Sequence, residues 1–212
     1  MRRALFLLPL LVLSACSAGR ALAPDQRTPE TPAAEPTGTV VVARTPIPTA
    51  VRFQPIQRRG VRGGQLTTVL PGTPEQVADM ILDFDEAARH RSFAREMRVL
   101  SRKGNRVEVA ISLKGKMGIS PKIHVAYTKT QVGDAVRVEY VLTKKAFGIS
   151  SYSGELMIEP VEGTPARSKY TSKTFVASGI MFAKVKSSDI ERGQRTDAGE
   201  LRTWMTKRLA SR

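Results

Sequence analysis

The sequence is poor in the residues that metal and acid–base centres are built from. It holds one cysteine and two histidines in 212 residues. A single cysteine excludes an internal disulfide framework and any cysteine-rich zinc site. His90 and His124 stand far apart and leave little material for a metal or catalytic centre. Aromatic residues make up only 6% of the chain. Acidic residues are also in deficit, 19 against 34 Lys and Arg, for a net charge of +15. A chain with that balance favours anionic partners. There is no phosphate-binding G-x-x-x-x-G-K-[ST] loop, no G-x-G-x-x-G after a strand and no G-x-S-x-G elbow. No cofactor or metal site is expected, and no catalytic residue is assigned.

What is present begins with an address. Arg2 and Arg3 form a basic start, residues 4–13 a short apolar run, and Ser14 and Ala15 a small-residue stretch. The run is too short to span a hydrocarbon layer about 30 Å thick. It reads as a secretory signal, set aside from fold reasoning. Leu13-Ser14-Ala15-Cys16 resembles the lipobox of bacterial lipoproteins. The resemblance implies signal residues 1–15 and a lipidated Cys16 at the mature N-terminus. Ser17, rather than Asp, implies by the same analogy an outer-membrane anchor facing the periplasm. The expected setting is the cell envelope, with the membrane a partner and nucleic acid an improbable one.

Residues 16–65 are rich in Pro, Ala, Thr and Arg and read as a lipidated, mostly disordered tether. Seven prolines, from Pro24 to Pro55, break long helices and central strands. Arg58-Arg59-Gly60-Val61-Arg62-Gly63-Gly64 reads as part of that solvated basic tether, close to anionic headgroups.

From Leu66 the composition changes. Residues 66–70 read as a strand. Thr73-Pro74-Glu75-Gln76 supplies an N-cap, a Pro at the first helical position and a capping-box Gln. Val77, Met80, Ile81 and Phe84 share one helical face, with helical character fading toward His90. His90, between two arginines, reads as an exposed helix end, and His124 as a surface histidine. Period-two alternation then marks strands at 98–101, 106–114, 122–130, 135–143, 152–159 and, less cleanly, 168–177. One apolar face per strand is what a half-buried antiparallel sheet requires. The chain ends in a helix, with a capping box at Ser188-Asp189-Ile190-Glu191. Its apolar side carries Ile190, Ala198, Leu201, Trp204, Met205 and Leu209.

Strand, helix, six antiparallel strands and a long terminal helix together resemble the START-like helix-grip fold of the SRPBCC superfamily. The residues that carry the resemblance are Thr73-Pro74-Glu75-Gln76-Val77, Ile81-Leu82-Asp83-Phe84 and the strand–turn–strand from Val99 to Val107. The local resemblance is to polyketide cyclase/dehydrase-like and coenzyme Q-binding START domains. The implied class is α+β over residues 66–212, a curved antiparallel sheet wrapped around the C-terminal helix. The aromatic–Pro pair frequent after the family's first helix is replaced by Ala87-Ala88-Arg89-His90-Arg91, a departure that leaves a distinct second helix open.

The resemblance implies an apolar cavity between sheet and helix. Its lining would be Met80, Phe84, Ile111, Leu113, Val125, Tyr127, Val138, Tyr140, Leu142, Tyr152, Leu156, Leu201, Trp204 and Met205. The same residues are equally those of a filled core. In a meander, hairpin turns alternate ends, so the loops at 115–121, 144–151 and 178–187 share one end. They carry Met117, Ile119, Phe147, Ile149, Met181 and Phe182 among Lys116, Lys145 and Lys184. Apolar tips among cations suit a lipid surface. Three readings follow. One is an anchored module that holds or shuttles a hydrophobic small molecule such as a lipid or quinone. Another is a cyclase- or hydrolase-like enzyme using the same cavity. The third is a filled-core protein whose basic surface binds envelope polymers.

Overall fold

The computed structural model describes residues 50–114, 121–144, 148–163, 166–179 and 185–211. Residues 1–15, Cys16 and the chain to residue 49 lie outside them. So do the loop residues Lys116, Met117, Ile119, Lys145, Phe147, Met181, Phe182 and Lys184.

Among the described residues, eight strands form one antiparallel sheet that begins earlier than the sequence suggests. Strand β1 (Arg52–Arg58) and strand β2 (Val61–Pro71) make a hairpin inside the stretch read as tether. Its two-residue turn is Arg59-Gly60, at φ 48° and 79°, the left-handed backbone that a type I′ turn needs. Pro55 is tolerated because β1 is an edge strand. The paired glycines are there for space. A Cβ on Gly63 would lie 2.7 Å from Phe175, and one on Gly64 would lie 2.4 Å from Phe53. Compositional reading missed this because Gly and Pro also mark flexible chain.

Two short helices follow. Helix α1 (Pro74–Leu82) carries the expected capping box: Thr73 Oγ1 accepts from Gln76 N, and Gln76 Oε1 accepts from Thr73 N at 2.9 Å. Helix α2 (Phe84–His90) is a distinct second helix, and it ends where the sequence placed the end of helical character. Asp83 makes the break: it ends α1, and its carboxylate accepts from Glu86 N to start α2.

Strands β3 (Ala94–Lys103), β4 (Arg106–Leu113), β5 (Lys122–Val132), β6 (Ala135–Lys144), β7 (Ile149–Val161) and β8 (Arg167–Ser178) form the meander. The order across the sheet is β1-β2-β8-β7-β6-β5-β4-β3. The chain closes with helix α3 (Ser187–Ala210). It starts one residue before the expected box, with Lys186 at the N-cap position and no side-chain cap. Helix α3 packs chiefly along β2, α1 lies over β6 and β7, and α2 lies against β3. One buried cluster joins the inner sheet face to all three helices. The α+β helix-grip architecture is therefore as the sequence implied.

Candidate functional site

The inward side of α3 is an apolar stripe with a polar interruption. Ile190, Ala198, Leu201, Trp204 and Met205 are buried. Gln194 and Asp197 fall four and seven residues after Ile190, on the same face. The Gln194 side-chain amide donates to Gly64 O and Ser172 O, both at 3.1 Å, and reaches the hydroxyls of Ser172 and Thr174. Asp197 Oδ1 lies 3.6 Å from Nε of Arg91, the residue that ends α2. Arg91 is only 8% exposed.

The sheet beneath is divided. Strands β4 to β7 turn apolar residues inward, including Ile111, Val125, Val138 and Leu156. Strand β8 turns in hydroxyls: Ser168, Tyr170, Ser172 and Thr174 are all buried. That row explains the poor alternation of residues 168–177 in the sequence. The period of two is intact, and it is the hydroxyls that face the core.

Aromatic rings run from helix to sheet. Phe84 and Tyr127 have centroids 4.9 Å apart, Tyr127 and Tyr140 5.8 Å, and Tyr140 and Tyr152 5.1 Å. The Tyr140 hydroxyl shares a 2.6 Å hydrogen bond with Thr174 Oγ1. Gly154 makes room for that ring, since a Cβ there would sit 2.3 Å from the Tyr140 hydroxyl. All four tyrosines of the chain, Tyr127, Tyr140, Tyr152 and Tyr170, face this interior, and burial raises the pKa of each well above the ordinary phenol range. For Arg91, burial pulls the pKa down, but Asp197 and the surrounding tyrosines outweigh it and the net shift is upward. The cluster thus sets a guanidinium, held charged, beside Asp197 and among neutral phenols.

Of the predicted lining, Met80, Phe84, Ile111, Val125, Tyr127, Val138, Tyr140, Leu156, Leu201, Trp204 and Met205 lie in the buried cluster. Leu113, Leu142 and Tyr152 are only partly buried against it, as is Ile149 from the docking set. These four sit at the loop end of strands β4, β6 and β7. Exposed Lys114, Lys122, Lys144 and Lys186 stand at that same end. Trp204 is placed differently from the tyrosines. Its ring stacks on His90 at 4.7 Å, and it borders a shallow groove of about 440 Å³ between α2 and the outer side of α3. His90 is therefore a packing partner rather than a free helix end. His124 is half-buried on β5, opposite Ala110.

Sequence reasoning missed Arg91, Asp197, Gln194 and Tyr170. The signal for Gln194 and Asp197 was their phase with Ile190 and Leu201. Arg91 had none, because its burial depends on how α2 ends. Among the described residues no group of three or more His, Cys, Asp or Glu side chains is placed to hold a metal.

A family model described as polyketide cyclase / dehydrase and lipid transport matches residues 64–207. No curated protein matches the chain. Solved structures share the fold at low identity. A STAR-related lipid transfer protein from Xanthomonas axonopodis is 10% identical with a TM-score of 0.63, over 74% of this chain and 93% of that one. A START superfamily protein from Mycobacterium smegmatis is 11% identical with a TM-score of 0.58, over 68% and 97%. The Zhui aromatase/cyclase from Streptomyces is 11% identical with a TM-score of 0.57, over 76% and 96%.

Proposed function

The chain belongs to the polyketide cyclase / dehydrase and lipid transport family, and from that premise we propose that it holds or shuttles a hydrophobic molecule, lipid- or quinone-like, between the sheet and α3. The guest enters at the loop end and works without covalent chemistry. One observation carries this reading. The inner apolar face of the sheet is buried, and among the hydrophobics only partly buried against it are Leu113, Leu142, Ile149 and Tyr152, which gather at the loop end. Concave apolar surface with a few convergent polar groups is the usual form of a small-molecule site.

The same proposal places the protein outside the cytoplasm, anchored through Cys16 to an outer membrane. The loops bearing Met117, Ile119, Phe147, Met181 and Phe182 would meet the lipid surface. Native mass spectrometry of gently extracted protein, followed by lipid analysis, tests the carrier reading. The expected result is a bound apolar molecule in the native chain and a several-fold lower occupancy in Leu142→Trp, whose indole would fill the opening. A chain that never carries a guest overturns it.

A second reading, a cyclase- or hydrolase-like enzyme, draws support from Asp197, an inward acid among tyrosines beside Arg91. Turnover that is lost in Asp197→Asn while guest binding persists would favour it over the carrier.

A further inference from the structure

The sheet ends in two edge strands, β1 and β3, and they are unlike. Strand β1 is protected. Pro55 removes a donor from it, Arg195 Nη1 of α3 donates to Val51 O beside it, and the Arg58 guanidinium lies over the Phe175 ring. Strand β3 is longer, holds no proline and pairs only with β4 among the described residues. One side of its ladder is open, and an open ladder is a template for one more strand.

The side chains along that edge are of two kinds. Between residues 95 and 106 five cations stand against one acid, Glu96. Arg95, Arg98, Arg102, Lys103 and Arg106 are all exposed, and none makes an ion pair among the described residues. Elsewhere on the sheet Lys129, Lys169 and Lys173 each meet a carboxylate. The second kind is apolar. Phe93, just before β3, is 38% exposed and Leu100 is 37% exposed, two of four large apolar side chains exposed among the described residues. Register shifts at Arg95 and Leu100 leave both without an opposite residue on β4. Such bulged residues are re-aimed out of the regular alternation.

Edge charge has a guarding role, since it repels a second copy of the same edge. That excludes self-pairing here. Guarding alone needs neither arginine nor exposed Phe and Leu. Four of the five cations are arginines, whose planar fork takes a carboxylate in two parallel hydrogen bonds. A phosphate polymer or a lipid surface would answer the charge but would leave the ladder unpaired.

We infer that the β3 edge is a docking strip for an acidic, extended segment of a partner protein. The segment adds as a further strand beside β3 and sets its carboxylates against Arg95, Arg98 and Arg102. It covers Phe93 and Leu100, about 20 Å apart at about 3.3 Å per residue. The strip uses the margin of the sheet rather than its inner face, so the inference is independent of the carrier reading.

The test titrates the purified full chain with a capped peptide of about nine residues, within the range of a natural strand, alternating Glu with Val. Binding should slow hydrogen exchange of β3 amides. A Gln-for-Glu peptide should bind at least about tenfold more weakly, as should the native peptide to Arg98→Glu with Arg102→Glu, where two attractions become repulsions. Arg52→Glu with Arg58→Glu, on the opposite edge, should change nothing. A strand bonds its neighbour through alternate residues. Of two peptides N-methylated at odd or at even positions, one should therefore bind and the other fail. This arm needs no variant of the protein. Equal binding of both methylated peptides, or equal loss from the two pairs of arginine substitutions, would show charge attraction without strand addition and overturns the inference. So does polyphosphate of the same charge binding as tightly as the peptide, and so does a peptide that does not bind.

Discussion

The two ends of the interior are made by the same strands and differ in what covers them. At the hairpin-turn end, Val136 and Ile158 are fully buried and Tyr170 is 3% exposed. Helix α1 lies over them, and Lys129 bridges from the sheet to Glu75 and Asp79. At the loop end, Leu113, Leu142, Ile149 and Tyr152 continue the same inward phase but are only partly buried. Lysines stand around them. Alternation decides which way a side chain points, and the helices decide whether it meets protein or open space. The turn end is closed by these contacts, and the loop end is where the proposed guest would enter.

The largest effect that would sharpen this contrast is alkaline. All four tyrosines are held neutral by burial, with pKa values raised from 10.0. Below that value both folded and unfolded chains keep their phenol protons, and the stability contribution is whole. Above it the unfolded chain ionises while the native one does not, so stability falls as pH rises. Four such groups give a slope of about 5 kcal/mol per pH unit above the unfolded value. Absorbance at 295 nm should therefore rise in one steep step together with loss of circular dichroism. A quarter of the amplitude appearing early near pH 10, and removed by Tyr152→Phe, would mean that water floods the open end to the depth of that ring.

Next in size is a matched pair of truncations. Ile158→Ala at the closed end should cost about 2–5 kcal/mol, the range for a sealed aliphatic side chain. Leu142→Ala at the open end should cost under about 1 kcal/mol, because less surface is withdrawn from water. Urea denaturation of both variants reads the difference directly. Similar costs would show that the loop end is packed as tightly as the other, and the contrast would be lost.

How much of this was legible in the sequence follows from the range of each interaction. The meander, the capping box at Thr73 and the apolar stripe of α3 are local patterns, and residue spacing was enough to read them. The β1–β2 hairpin was hidden because Gly63 and Gly64 matter for what they leave vacant, and Phe175, Phe53 and Gln194 come from distant chain. The same applies to Arg91. An arginine after Arg89 and His90 at a helix end looks solvated until α3 brings Asp197 to it. Strand β8 teaches a different lesson: a hydroxyl row is an inward face too, and counting only apolar residues passes over it. The site is thus the part least legible, since its polar members are defined by partners rather than by period.

The smallest expected effect concerns charge at the two ends. Lys144 is exposed at the loop end and Lys103 at the turn end. If the open end faces lipid, only the first of these comes within a Debye length, about 10 Å at 0.1 M salt, of anionic headgroups. Each basic residue held near such a surface contributes about 1 kcal/mol, close to fivefold in binding. Flotation of a Cys16→Ser chain with vesicles containing anionic lipid should therefore weaken about fivefold in Lys144→Gln and remain unchanged in Lys103→Gln. The difference should shrink at 0.5 M salt, where screening is shorter-ranged. Equal losses from the two lysines would mean that the whole basic surface contributes without orientation. The opening at Leu142 and Tyr152 would then have no privileged relation to the membrane, and a guest would have to enter from solution.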